Sequence, residues 1–412
     1  MDSGEATRTT RRPRLLFASL YFAEGGPIGL IWWALPVWMR TSGREPGEIA
    51  SVMALVTWPW ALKFLWAPMV DVLRTPRFGL RAWIACSQLA MALTLLPLLF
   101  VDFGASGPLL PTLLVLHAVA AATQDAAIDT LAVNSIPVAQ RGSINGWMQT
   151  GMLLGRSVFG GGAVLLAAHL GRQGVVLLLV IAVLGPAWTA LRFAAEPEVP
   201  GGPRHERLAR YVAQLRVLAR ERSLWFGLLL AATVGAGFEG LTSLAGPLLL
   251  DHGASEQLVG RFFLIPAVLA MAVGALVGGK LSDVFGRART TAVAQGSAAL
   301  CVLAVGAAVQ LSEHGEASRP LLVLLVLVYF CAGAGIASLY GLLMANTRRD
   351  VAAFQFCVFM AGINLCMIWS TRLLGELVDL HGYGPAVLVG GALSLAALPL
   401  IEGLRSSPAT AK

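Results

Sequence analysis

Apolar stretches of about 20 or more residues recur along this chain almost end to end, and each is long enough to cross a bilayer as a helix. In hydrocarbon the backbone has no water to bond, and a helix satisfies its own peptide groups there. Hydrophobic residues make up 57% of the 412 and charged residues 13%, against roughly 45–50% and 25% in a soluble globular protein. The chain is therefore expected to be an all-α membrane protein. Twelve spans are expected, near 15–39, 49–70, 82–101, 109–133, 143–168, 174–194, 224–250, 257–279, 290–311, 320–345, 353–376 and 384–404.

These spans predict three parts: a six-helix bundle over 1–194, a linker over 195–223, and a second six-helix bundle over 224–412. The linker opens with Pro and Gly and continues as a basic amphipathic segment, with Leu208, Val212 and Leu215 at helical spacing. It reads as a cytoplasmic connector, on the membrane surface or simply solvated. Arg74, Arg77, Arg81, Arg141, Arg204, Arg287 and Arg289 fall on one set of connections, whereas Arg40, Arg44, Arg172 and Arg319 fall on the other. Cytoplasmic loops retain positive charge, so both termini are expected inside. The net charge of +7 is explained by this topology and does not point to nucleic acid. The N-terminal Arg run is followed by no cleavage pattern, so the first helix is expected to stay as an anchor.

Enzyme, metal and cofactor roles find little support. No H-E-x-x-H, G-x-S-x-G or Walker loop is present, and Cys86, Cys301, Cys331, Cys357 and Cys366 lie inside expected helices without C-x-x-C spacing. His117, within the fourth span, reads as a packed or cavity-lining histidine.

A duplication is visible as a fixed offset. Asp71 and Asp283 lie 212 residues apart, as do Asn134 and Asn346, and Glu24 and Glu239 lie 215 apart. Two short charged loops mark the same period: Trp66 to Arg74, and GKLSDVFGRAR from Gly279 to Arg289. The second resembles the loop G-x-L-x-D-x-x-G-R-x-R that joins helices two and three in each half of major facilitator transporters. That resemblance implies two bundles around a central cavity that opens alternately to the two sides. Asp71, Arg74, Arg141, Asp283, Arg287 and Arg289 read as gate residues whose ion pairs form when the inner side closes.

A charge at membrane depth is costly unless it faces a wet cavity or a partner. The candidates are Glu24, Lys63, Asp125, Asp129, Arg156, Glu239, Arg372 and Glu376. Glu24 stands in Glu-Gly-Gly-Pro, where the glycines and Pro27 loosen the helix or let another pack closely. It reads as a proton-carrying carboxylate or a structural hydrogen bond, and Glu239 is its counterpart by the repeat. Asp125 and Asp129, four apart, share a helix face, with Asp125 the deeper and Asp129 nearer the gate. Arg156 and Arg372 suit bidentate capture of carboxylate or phosphate, or else neutralise the acids. Lys63 reads as snorkelling to the inner surface. Gln124, Trp33 and Tyr340 complete the expected substrate-binding set.

Leu20-Tyr-Phe-Ala-Glu-Gly-Gly-Pro27, the run Trp60 to Asp71 with Lys-Phe-Leu-Trp-Ala-Pro inside it, and Ala122-Thr-Gln-Asp-Ala-Ala-Ile-Asp129 resemble the AmpG-like permease group. That group includes muropeptide permeases, RhtX/FptX-type siderophore permeases and acetyl-CoA transporters. The resemblance implies proton-driven uptake across the bacterial inner membrane. The group usually has Gln where Glu24 stands. The expectation is a twelve-helix carrier, working as a monomer without a cofactor, that imports a polar, anionic solute with protons. A proton-antiport exporter and a non-transporting membrane receptor are the alternatives.

Overall fold

The computed structural model describes residues 3–194, 196–197, 203–311, 318–347 and 352–405, and every regular element among them is helical. The helix α1 (Ser3–Gly29) runs through a π-helical turn, Leu30–Ala34, into α2 (Leu35–Thr41). There follow α3 (Pro46–Leu73), α4 (Leu80–Leu95), α5 (Leu109–Ser135), α6 (Val138–Phe159), α7 (Gly161–Phe193) and α8 (Arg204–Leu218). Next come α9 (Arg222–Ala231), α10 (Ala236–Thr242), α11 (Ala245–Asp251), α12 (Glu256–Leu264) and α13 (Pro266–Phe285). The last are α14 (Arg287–Leu311), α15 (Ser318–Ala345), α16 (Ala352–His381), α17 (Tyr383–Ala397) and α18 (Leu400–Arg405).

Ten of the described helical segments are long and apolar enough to cross a membrane, or eleven when α9 and α10, bent by 47° at their break, count as one span. The expected count of twelve is thus not reached by that criterion. The fifth expected span accounts for the difference: α6 carries Gln140, Arg141, Asn145, Gln149 and Arg156, too many polar groups for an apolar window. That span is also interrupted at Gly160 (φ −94°, ψ −95°), where α6 gives way to α7, and α7 contains a non-helical residue, Gly171, at φ 70°. Only glycine adopts that conformation without strain, so Gly171 turns the chain between the fifth and sixth spans. The seventh span is split into α9, α10 and α11. Large apolar side chains such as Leu93, Ile181, Leu276 and Leu300 are exposed, which water penalises and hydrocarbon does not.

The chain packs as two units. The first comprises Met1–Ala34 and Leu65–Tyr211, the second Leu35–Phe64 and Val212–Lys412. The segment 35–64, expected with the first bundle, therefore packs with the second unit, where Ala50 lies against Gly375 and Ala54 and Ala61 against Ile368. In the first unit α1 and α6 approach backbone to backbone. A Cβ on Gly25 would strike the Met152 carbonyl, and one on Gly151 the Ala18 carbonyl. The glycines beside Glu24 thus serve close helix packing, as small residues do between membrane helices. The second unit uses the same device between α13 and α15, where Gly274 lies on the Phe330 carbonyl and Gly333 on that of Met271. His117 is a packed histidine, its Nδ1 3.2 Å from the Met91 carbonyl and from the Thr94 hydroxyl.

Candidate functional site

The first unit buries several polar and ionisable side chains within its expected spans. Glu24, Gln124 and Asp125 are buried, at 2%, 0% and 6% exposure. Glu24 projects from α1 where that helix is held against α6. Three residues beyond Pro27 the helix widens into the π-helical turn Leu30–Ala34, all of it buried. An extra residue in one turn re-aims the side chains that follow, and such turns concentrate at functional sites. Here it sets the Trp33 ring beneath the Arg156 guanidinium, whose central carbon lies 4.4 Å from the ring centroid. The absence of a side chain at Gly160 makes room, since a Cβ there would meet the Trp33 ring. A cation over an indole is stabilised by about 0.5–1 kcal/mol when exposed and by about 2 kcal/mol or more when desolvated. Trp33 thereby helps to position Arg156, whose planar guanidinium is of the kind that suits a carboxylate or phosphate.

Below this stack lies a ladder of oxygen groups. The Tyr21 hydroxyl donates to Asp129 Oδ1 at 2.5 Å, and Tyr21 is within electrostatic reach of Asp125 and Glu24. Tyr21 is buried, whereas Asp129 is exposed. Gln124 Nε2 reaches the Leu20 carbonyl at 3.5 Å. Tyr21 was not legible as a member of this set, because its partner is 108 residues away.

The first charged loop is organised by a residue that sequence reasoning also missed. Glu196, just beyond α7, accepts from the backbone N–H groups of Leu80 (2.7 Å) and Arg81 (3.0 Å), so a carboxylate covers the positive start of α4. Arg74 is fully buried, donates to the Pro197 carbonyl at 2.7 Å and stands 3.9 Å from Glu196. The side chains of Asp71 and Arg141 lie outside the described residues. In the second loop Asp283, Arg287 and Arg289 are exposed around Gly286, which has φ 87°. No ion pair joins these three among the described residues.

In the second unit Glu239 occupies the first turn of α10, immediately after the break in the seventh span. It faces a small pocket with Gly235, Phe238, Gln295 and Leu339, and its backbone N–H bonds the Gly235 carbonyl at 2.9 Å. The indole N–H of Trp369 caps the break by donating to the Ala232 carbonyl at 2.7 Å. Non-helical backbone at membrane depth is tolerated where it is buried in protein or lines a wet cavity. Arg372 is placed differently from Arg156: it is 68% exposed and pairs with Glu376 on the same helix at 3.0 Å. Tyr340 meets Phe356 edge to face at 6.0 Å, and Lys63 lies 5.3 Å from the Trp60 ring.

A further polar cluster in this unit ties α2 and the start of α3 to α11, α16 and α17. Arg40 Nε donates to both Asp251 oxygens, at 2.8 and 3.0 Å, and the Tyr383 hydroxyl donates to Asp251 at 2.9 Å. Beside it Asp379 Oδ1 accepts the Gly47 N–H at 2.9 Å. Arg40 and Asp251 are 211 residues apart, almost the repeat offset, so near-equivalent ends of the first and seventh spans meet.

Comparison with known proteins agrees with this architecture. The chain is 28% identical over 413 residues to the anhydromuropeptide permease of Escherichia coli (strain K12), covering 97% of this chain and 81% of that protein. Its fold is similar to that of a D-xylose-proton symporter, with TM-score 0.71 at 12% identity over 95% of this chain and 97% of the other. It is equally similar, at TM-score 0.71 and 15% identity over 98% of both chains, to a bacterial homologue of the human lysosomal transporter Spinster. The family model described as Major Facilitator Superfamily matches residues 17–371, and the chain belongs to that superfamily of membrane transporters.

Proposed function

We propose that this transporter is a secondary carrier of the bacterial inner membrane, with both termini cytoplasmic, that imports a polar anionic solute together with protons by alternating access between the bundles 1–194 and 224–412. The observation that carries this reading is that the first unit holds both a cation against an indole, Arg156 on Trp33, and the buried acids Glu24 and Asp125, with Glu24 and Arg156 on the closely packed helices α1 and α6. A carboxylate in an apolar setting is costly as an anion, so such acids exchange protons where water or solute reaches them. Arg156 supplies the fixed positive charge for a solute carboxylate or phosphate, with Gln124, Trp33 and Tyr340 as further contacts and Arg372 as a second cation. Glu239, in its pocket at the helix break, is a third proton-carrying acid. The charged loops, through Asp71, Arg74, Asp129, Arg141, Asp283, Arg287 and Arg289, act as gates. Anhydromuropeptides are the first solute class to test, because the E. coli relative is named for them and matches nearly the whole chain; siderophores are the second.

The test is uptake by purified protein in proteoliposomes. A labelled anhydromuropeptide should accumulate above its external concentration when the lumen is made alkaline, and should only equilibrate when the gradient is collapsed by an ionophore. Equilibration under both conditions contradicts proton coupling. The opposite direction of flux in inverted vesicles would replace import by export, and binding without flux would leave a receptor.

A further inference from the structure

We infer that Tyr21 is the relay through which protons pass between the buried acids Glu24 and Asp125 and the exposed acid Asp129. The inference rests on the proposed proton coupling and adds the route. Two rungs define it. Tyr21 and Glu24 lie three residues apart on α1, and Asp129 and Asp125 lie four apart on α5, so each pair shares a helix face one turn apart. The Tyr21 and Asp129 rung is joined by a hydrogen bond of 2.5 Å, and Tyr21 is within electrostatic reach of Asp125 and Glu24 on the rung above. Burial changes at one end of this line: Glu24, Asp125 and Tyr21 are nearly inaccessible at 2%, 6% and 5%, and Asp129 is exposed.

An exposed carboxylate does not sit in hydrocarbon, so Asp129 marks the point where the ladder meets water. Tyr21 is the buried group at its inner edge. The α6 helix, also packed on α1, brings Arg156 to the level of Gly29, about two turns from Tyr21. The acids Glu24, Asp125 and Asp129 are therefore the ionisable groups whose charge bears on the phenol.

The transfer balances without a charged tyrosine. A proton leaving the Glu24 or Asp125 carboxyl binds the Tyr21 oxygen as the original hydroxyl proton passes to Asp129. The phenol ends neutral, one buried carboxyl has become a carboxylate, and Asp129 is the acid that releases its proton to water. The hydroxyl then turns back to repeat the cycle, and the reverse order loads the buried acids.

The route is tested without any solute by a rapid pH jump on the purified carrier, with protonation of buried carboxyl groups followed by time-resolved infrared absorption. Tyr21→Phe keeps the ring and removes the hydroxyl. It should slow carboxyl protonation by about 10²-fold, the lower end for one positioned proton-transfer group, and leave the final amplitude unchanged. Asp129→Asn should slow it similarly, the double variant should add little, and Asp129→Glu should restore most of the rate. Unchanged kinetics in Tyr21→Phe, or a changed amplitude at an unchanged rate, overturns the relay. A wild-type protein in which no buried carboxyl titrates overturns the proton-coupling reading as well, so the two failures are distinguishable.

Discussion

Replacing Asp251 by Ala tests how firmly the segment 35–64 is held to the second unit. The carboxylate takes Arg40 Nε on both oxygens and also takes the Tyr383 hydroxyl, at 2.8 to 3.0 Å. Each hydrogen bond to a charged group contributes about 1.5–3 kcal/mol, and the two Arg40 distances belong to one shared N–H, so two bonds are lost. Both charged side chains are 24% exposed, which favours the low end of that range. The expected cost is about 3 kcal/mol, equivalent to about 10²-fold in a local opening equilibrium. Hydrogen–deuterium exchange reads it directly, because the Gly47 N–H bonded to Asp379 sits in the same connection. Amides from Gly43 to Ile49 should exchange about 10²-fold faster in Asp251→Ala, with those of α5 unaffected. A cycle with Arg40→Ala should give a coupling of about 1–2 kcal/mol. Unaltered exchange around Gly47, or zero coupling, would refute the reasoning.

Gly155→Val should destabilise the first unit by about 1–3 kcal/mol through the clash with the Phe22 carbonyl, read as a lowered thermal midpoint in detergent; an unshifted midpoint would mean that α1 and α6 are not in backbone contact. Trp33→Leu should raise the KM for an anionic solute about tenfold by removing the face on which Arg156 rests, with Trp33→Phe in between. Equal KM values in all three proteins would remove Trp33 from binding. Cys301 and Cys331, on α14 and α15, have sulfurs 4.0 Å apart, so a membrane-permeant oxidant should link them in a bond that peptide mapping detects and Cys301→Ser abolishes. Failure to form that link would place the two helices in a different register.

The membrane class, the repeat and most spans were legible because apolar length and charge placement are properties of single segments. The three-piece seventh span was not. Its glycines at 235, 237 and 240 read equally as packing residues, and Gly237 and Gly240 do lie against Gly390 and Ser370 carbonyls. Cys301 and Cys331 lacked metal or redox spacing, yet their helices bring them face to face. Glu24, Asp125 and Arg156 were found because a charge inside an apolar run is conspicuous. Tyr21, Glu196, Asp251 and Tyr383 were missed for the converse reason: each is ordinary in its own segment, and its role arises only from partners on other helices. Arg156 and Arg372 read alike in sequence, but their settings differ: Arg156 lies against the Trp33 ring, whereas Arg372 is exposed and pairs with Glu376 one turn away on its own helix.

The claim that the buried acids of the first unit carry the driving proton is tested most directly by following lumenal pH with a trapped dye while solute is added to proteoliposomes. The account predicts solute-dependent acidification in the wild type, its loss in Glu24→Gln and Asp125→Asn, and persistent exchange of labelled for unlabelled solute in both variants. Solute-dependent acidification at the wild-type rate in the two variants would contradict it.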